Sequence, residues 1–482
     1  MLKHCNLRSE AQKLTTILTL KGLFIIGVLQ AIYGILQYTG LCTSNHRFFA
    51  ITGSFENPSG FVAILSLVLP IGVYWCLKSK GWEQKLVFIA IGSTLFSIVL
   101  SGSRTGILSA VISILIVFAI EFQLFSKLKN LKYSIGIVFI VIIILLFSVF
   151  LLYQLRKDSA DGRLLIWEVS FEMFKDKPLG YGYNGFQANY MNYQAKYFKG
   201  NPQSIYTQLA DNVKHPFNEF VKIAINYGAV GLVFYLLMLT VIFWKAIKIQ
   251  ASIRGMLLGV FATFIVLTSF SYPLQYAPVW FLLAYFTLVL FSNSAPNKRL
   301  SLLTIVSITV VCITGIFFLI QRLSKEIEWK TIAVKSMQGF TEEMLPQYQM
   351  LYPHLKKNAF FLYNYGAEVY VAKDYKKSIT ILEECQKQLS DYDLQMLLAD
   401  NYYQIGDTDK AIQSYKHAEN MIPCRFLPLY YQFEIYKEVG RVEESLKIAQ
   451  KIIAKDVKVN SNTVEIIIKE ANNFLFEKEA NS

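Results

Sequence analysis

Apolar stretches without charge recur along the first two thirds of the chain, at about 22–39, 60–77, 86–101, 105–120, 133–154, 229–244, 255–272, 274–292 and 300–320. A helix rises 1.5 Å per residue, so about 20 residues cross the hydrocarbon of a bilayer. The shorter stretches reach that length only by taking in flanking residues. The pattern predicts about nine membrane spans within residues 1–321, interrupted by one hydrophilic insertion at 155–216. Beyond residue 325 no apolar run of spanning length occurs, so 325–482 reads as a second, water-exposed domain. The fold class expected is all-α throughout.

The water-exposed part repeats itself. "LYNYGAEVYVAKDYKKSITILEECQKQLS", "LADNYYQIGDTDKAIQSYKHAENMIP" and "FEIYKEVGRVEESLKIAQKIIAKD" superimpose. Ser378, Ala411 and Ser445 fall in one register, and so do Leu382, Tyr415 and Ala449 four residues later. Gly406 and Gly440 each stand five residues before the small residue. Small residues let two helices approach, and Tyr402 and Tyr436 fill the space between them. This pattern resembles the tetratricopeptide repeat, a helix–turn–helix of 34 residues that stacks into an α-solenoid. The repeats are expected at about 358–390, 391–424 and 425–458. A degenerate repeat is expected over 325–356, and a closing helix at 459–477 in "NTVEIIIKEANNFLF". Arrays of this kind hold partners on a concave face, which suggests a periplasmic protein as one partner.

Composition agrees with a membrane protein. Of 482 residues, 54% are hydrophobic and 17% charged, against about a quarter charged in soluble chains. The mean hydropathy is +0.37. The net charge of +13 would admit nucleic acid, but its placement excludes that reading. Lys78, Lys80 and Lys85 follow the second span, and Lys127, Lys129 and Lys132 the fourth. Lys245, Lys248 and Arg254 follow the sixth, and Lys298 and Arg299 the eighth. Basic residues in every second loop put those loops and the N-terminus in the cytoplasm. The turn around Arg104, the insertion and everything after 321 then lie on the outer side of the membrane, which the family resemblance given below would make the periplasmic side of a bacterial inner membrane. The first span reads as a signal anchor, because no A-x-A-like cleavage site follows it. Six scattered cysteines form no C-x-x-C pair, so neither a metal site nor a disulfide framework is signalled.

Candidate chemistry gathers on the outward face. Arg104 stands in the turn "SGSRTG" between two apolar stretches. The insertion opens "DGRLLIWEVSFEMFKDKPLGYGYNGF", where Asp161 could cap a helix that ends before Pro178. Ile166, Trp167, Val169, Phe171, Met173 and Phe174 would form one broad apolar face, suited to lying on membrane lipids with Arg163 near the headgroups. The insertion closes on "DNVKHPFNEFVKIAINYGAVG", with Lys214 and His215. Arginine forks onto phosphate oxygens, and histidine has the pKa of a base near neutrality. Arg104, Arg163, Lys214 and His215 together suit a lipid-linked diphosphate substrate. Each taken singly has a plainer reading, a snorkelling arginine or a solvated histidine. No carboxylate pair with metal spacing accompanies them.

The same segments, in order, resemble the O-antigen ligase superfamily. "GSFENPSGFVAILSLVLP" is similar to its G-x-F-x-N-P segment, and "SGSRTGILSA" to its S-R-T/G turn. "GRLLIWEVSFEMFKDKPLGYGYNGF" resembles its R-x-x-x-W … P-x-x-G-x-G segment. "HPFNEFVKIAINYGAVGL" resembles its H-N … G-x-x-G segment. The resemblance covers about residues 50–290. It implies a multi-span glycosyltransferase of polysaccharide or lipopolysaccharide biosynthesis that uses neither metal nor cofactor. The donor implied is a glycan on undecaprenyl diphosphate, and the acceptor a hydroxyl of lipid A core, of another glycan or of a protein. By resemblance Arg104 and Arg163 hold the diphosphate; Lys214, from its place among these cations, is expected to bind it as well. His215 deprotonates the acceptor, which attacks the anomeric carbon with inversion. The family's histidine directly precedes the asparagine, whereas here Phe217 does and His215 lies two residues earlier. Family members commonly have about twelve spans, against about nine here.

Two other classes compete. A transporter should carry ionisable residues within its spans or internal symmetry, and these spans show neither. A non-catalytic anchor for the repeats would not need the ordered arginine motifs.

Overall fold

The computed structural model describes residues 2–123, 157–249, 252–292 and 320–480, and every regular element among them is helical. In chain order the helices begin with α1 (Leu2–Tyr38), α2 (Pro58–Lys78), α3 (Gly81–Leu100) and α4 (Arg104–Glu121). They continue with α5 (Lys157–Asp176), α6 (Gly185–Gly200), α7 (Glu219–Lys248), α8 (Arg254–Phe270) and α9 (Ala277–Ser292). After a helical stretch from residue 320 come α10 (Thr341–Leu355), α11 (Ala359–Val371), α12 (Tyr375–Gln386) and α13 (Tyr392–Gln404). The last are α14 (Thr408–Met421), α15 (Leu427–Glu438), α16 (Val442–Ile453) and α17 (Asn462–Ala480).

Five described helices are long and apolar enough to cross a membrane: Leu14–Tyr38 of α1, then α2, α3, α4 and α7. α8 and α9 are apolar but shorter. The expected spans at 133–154 and 300–320 fall outside the described residues, except for Ile320.

The chain divides into two compact units. The first comprises Met1–Lys157, Pro216–Ala224 and Ala229–Lys298. Its centre is α2, whose residues Gly60–Val73 are buried on every side. α1, α3, α4 and α8 pack around it. Small residues bring these helices close: a Cβ on Gly106 of α4 would lie 2.1 Å from Val62, and one on Gly259 of α8 would lie 3.0 Å from Val117 of α4. Ser109, Ala110 and Ser113 continue this narrow face of α4. Between apolar helices, where lipid is as apolar as the partner, such close packing supplies the attraction.

The second unit comprises Asp158–His215, Ile225–Gly228 and Arg299–Ser482. Consecutive helices from α11 to α17 pack as neighbours. Their starts are set by side-chain caps: Asn358, Asp374, Asp391 and Asp407 each accept from backbone N–H groups of the turn that follows. Ser378, Ala411 and Ser445 are fully buried, as are Leu382 and Ala449. The Ser378 hydroxyl donates to the Gly366 carbonyl at 2.8 Å, which ties α12 to α11. Cys385 and Cys424 are free and buried, and burial pushes the Cys385 thiol up to about 12.

Asp158–His215 of the insertion group with Ile225–Gly228 and the helices of 325–482, and not with α1 to α4. Gln194 of α6 is fully buried and donates to the carbonyls of Met421 (2.6 Å) and Asp211 (3.1 Å). His417 meets Asn192 at 2.9 Å, and the Ser390 N–H donates to the Gln187 carbonyl at 2.8 Å. Burial holds the His417 imidazole below its ordinary pKa.

Candidate functional site

The stretch "SGSRTG" is a complete joint between two helices. Ser101 ends α3, Gly102 takes φ +66°, and Ser103 caps α4 by accepting from the Gly106 N–H at 3.2 Å. Arg104 is the first residue of α4 and is half-buried. The next residue locks the joint, since the Thr105 hydroxyl donates to the Phe270 carbonyl at 3.3 Å. A cation at this end of a helix faces the positive pole of the macrodipole, where anions are favoured by about 0.3–1 kcal/mol.

Arg163 lies in α5. That helix is already formed at Lys157, so Asp161 sits inside it and does not cap it. The broad apolar face expected for α5 is also narrower than its composition suggests. Leu165, Ile166, Val169, Ser170 and Met173 are buried, a stripe that follows the helical period. Phe171 is 58% exposed, because a rotation of about 100° per residue turns it off that stripe. Lys175 lies over its ring at 4.5 Å. Arg163 is half-buried.

After α5 the chain runs through "PLGYG" against the segment 225–228. The Tyr181 N–H donates to the Ile225 carbonyl at 2.9 Å, and the Gly182 N–H to the Asn226 carbonyl at 2.8 Å. The Asn226 side chain accepts from the Phe186 N–H at 2.9 Å and so sets the start of α6. Gly180 (φ +90°) and Gly228 (φ +68°) meet with no room for a side chain on either. Gly228 is also where α7 departs from helical geometry.

Lys214 and His215 close the insertion. The Lys214 ammonium lies 3.6 Å from the Asp391 carboxylate and 5.1 Å from the centre of the Phe360 ring. Asn212 holds the same carboxylate at 2.9 Å. Lys214, expected as a diphosphate ligand, pairs with Asp391 within the second unit. His215 is half-buried and precedes α7, whose N-cap is Asn218, accepting from the Val221 N–H at 3.1 Å. "KHPF" is therefore not helical. Phe217 takes φ +53°, a conformation a bulky residue adopts only under strain of about 1–3 kcal/mol. Its ring packs edge-on against Tyr272 at 5.4 Å.

Arg163, Lys214 and His215 belong to the second compact unit, and Arg104 to the first. Three polar residues outside the expected set build the surroundings. Asn57 caps α2 through the Ser59 N–H at 2.9 Å and accepts from the Tyr276 hydroxyl at 2.7 Å. Glu219 is 1% exposed; its carboxylate accepts from the Leu274 N–H at 3.1 Å and lies 3.8 Å from the Lys222 ammonium. Asn226 is the third. Their signal was present: each is a polar side chain in an otherwise apolar or glycine-rich motif. Among the described residues no three His, Cys, Asp or Glu side chains gather as metal ligands.

Residues 86–236 match the family model of the O-antigen ligases. The matched ligase-like segment holds Arg104, Arg163, Lys214 and His215, and it crosses both compact units. It supports a membrane glycosyltransferase of the O-antigen ligase or polymerase kind. A comparison with curated proteins finds no match.

Proposed function

We propose that the chain transfers a glycan from undecaprenyl diphosphate to an acceptor hydroxyl at the periplasmic face of the inner membrane. The observation that carries this reading is the ordered set of motifs around Arg104, Arg163 and His215 within one ligase-like segment. Arg104 and Arg163 hold the diphosphate. His215 takes the acceptor proton, and the acceptor oxygen attacks the anomeric carbon. The bond from that carbon to the diphosphate oxygen breaks with inversion, and the two arginines stabilise the leaving group. In this reading Lys214, through Asp391, holds the segment that carries His215. The mechanism needs no metal.

Three acceptors fit the class: lipid A core for a ligase, a second glycan for a polymerase, and a protein hydroxyl for an O-oligosaccharyltransferase. The helices of 358–458 are read as tetratricopeptide repeats on the periplasmic side. The test is the glycan profile of a deletion strain. Loss of polymer on lipid A, shortened chains and loss of glycoprotein separate the three acceptors. An unchanged profile in all three would overturn the reading in favour of transport or a plain anchor.

A further inference from the structure

A groove of about 870 Å³ opens among α12 to α16 of the second unit, with Lys199 of α6 on its lining. Its volume falls within the roughly 300–1,000 Å³ of ligand sites, but its chemistry is unusual for one, because such sites are mostly apolar. Only three aliphatic side chains line it, against five amides: Gln386, Gln395, Gln413, Asn420 and Gln432. Two tyrosines, Tyr402 and Tyr436, occupy equivalent places on α13 and α15, and Lys410 and Lys416 lie over their rings at 5.3 and 5.7 Å.

The hydrogen-bond state of the lining is specific. Gln432 is fully buried; its amide nitrogen donates to Glu419 at 3.2 Å and to the Pro428 carbonyl at 3.0 Å. Its amide oxygen is buried and accepts no hydrogen bond, which ordinarily costs about 1–3 kcal/mol. The charges are also unequal. The two lining carboxylates are already engaged, Glu419 by Lys451 and Asp409 by Arg441 at 3.5 Å. Of the lining cations Lys451, Arg441 and Lys410 are held by Glu419, Asp409 and Asp407 (3.0 Å for the last), so the charge offered to a ligand rests on the exposed Lys199 and Lys416.

We infer that this groove binds an acidic oligosaccharide. Sugar hydroxyls both donate and accept, which matches the amides of the lining. Carboxylates or phosphates on the glycan meet the excess lysines. A peptide would bring apolar side chains to a lining with little to receive them. The inference deepens the glycosyltransferase reading and rests on it for its biological sense: the repeats would hold the growing or accepting chain.

The test uses the full-length protein in detergent micelles and a fluorescent decamer of galacturonic acid, followed by anisotropy at low salt. Saturable binding is expected, weakening as salt rises. A Lys199→Glu/Lys416→Glu double variant, altered only at exposed positions, should weaken it at least about tenfold. Maltodecaose and a decamer of glutamate should each bind at least about tenfold more weakly. No saturable binding, or binding untouched by the double variant, overturns the inference. Equal binding of the glutamate decamer makes the groove an acidic-peptide site, and equal binding of maltodecaose removes the role of charge; either overturns it. Arg163→Ala should leave decamer binding intact. Wild-type protein that binds the decamer but shows no transfer would count against the glycosyltransferase reading and not against the groove.

Discussion

Gly180 and Gly228 meet backbone to backbone. A Cβ on Gly180 would lie 2.5 Å from the Gly228 nitrogen, and one on Gly228 would lie 2.4 Å from the Leu179 carbonyl carbon. Both residues also have positive φ. Neither neighbour can yield, since both are main chain. Gly228→Ala should therefore cost at least about 2 kcal/mol through strain and overpacking. The expected result is a lower midpoint of thermal unfolding in detergent; an unchanged midpoint would mean that the two segments are not apposed.

Arg163 is read as a bidentate ligand of a diphosphate. Lysine offers only a point charge. Arg163→Lys should lose transfer from a lipid-linked donor nearly as fully as Arg163→Ala, by about a hundredfold or more. Full activity of the lysine variant would reduce the role to general electrostatics.

His215 and Phe217 can be tested together. A base contributes a factor of about 10² to 10⁴, so His215→Gln should lower transfer at least a hundredfold and abolish a rise in rate near neutral pH. Phe217→His places an imidazole directly before Asn218, as in the family's spacing. Histidine also tolerates positive φ better than phenylalanine. If His215 is the base, Phe217→His should not restore a His215→Gln enzyme. Rescue would put the base at 217, and a near-normal rate for His215→Gln alone would remove it from 215.

Lys373 has φ +66° and stands five residues before Ser378; Gly406 and Gly440, at φ +82° and +69°, stand five residues before Ala411 and Ser445. A left-handed conformation costs a non-glycine residue about 1–2 kcal/mol. The unfolded chain gains some of that back when glycine is introduced. Lys373→Gly should thus stabilise by about 0.5–1 kcal/mol, read as a raised unfolding midpoint. Destabilisation would show that the three turns are not equivalent.

Lys455 lies 5.5 Å from the centre of the Phe426 ring, and burial lowers its pKa from the ordinary 10.5 to about 8. The unfolded chain therefore binds this proton more tightly than the folded one, and stability rises with pH between about 8 and 10.5. Below pH 8 the half-buried charge is a standing cost. Lys455→Met should stabilise at pH 7 by at least about 1 kcal/mol and flatten that rise. Melting curves at pH 7, 8.5 and 10 decide it; parallel pH dependence in both proteins would sink the assignment.

The sequence by itself determined the kinds of element and where many of them lie. Apolar stretches mark α1 to α4 and α7 to α9 because a helix in lipid must satisfy its own backbone and show apolar side chains, which is a local demand. Ser378, Ala411 and Ser445, which stand 33 and 34 residues apart, are each buried, in α12, α14 and α16. Tertiary structure alone decided the rest. That the insertion belongs with the helices of 325–482 follows from the bonds of Gln194, Asn192 and Ser390, whose partners lie some two hundred residues away along the chain. Composition gave Lys214 a free charge, and packing gave it Asp391. The glycines of "PLGYG" and "INYG" read as separate motifs until their main chains are brought within bonding distance. Burial sets which faces turn inward and has no direction of its own, whereas the partner of a hydrogen bond or an ion pair is fixed only when distant segments meet.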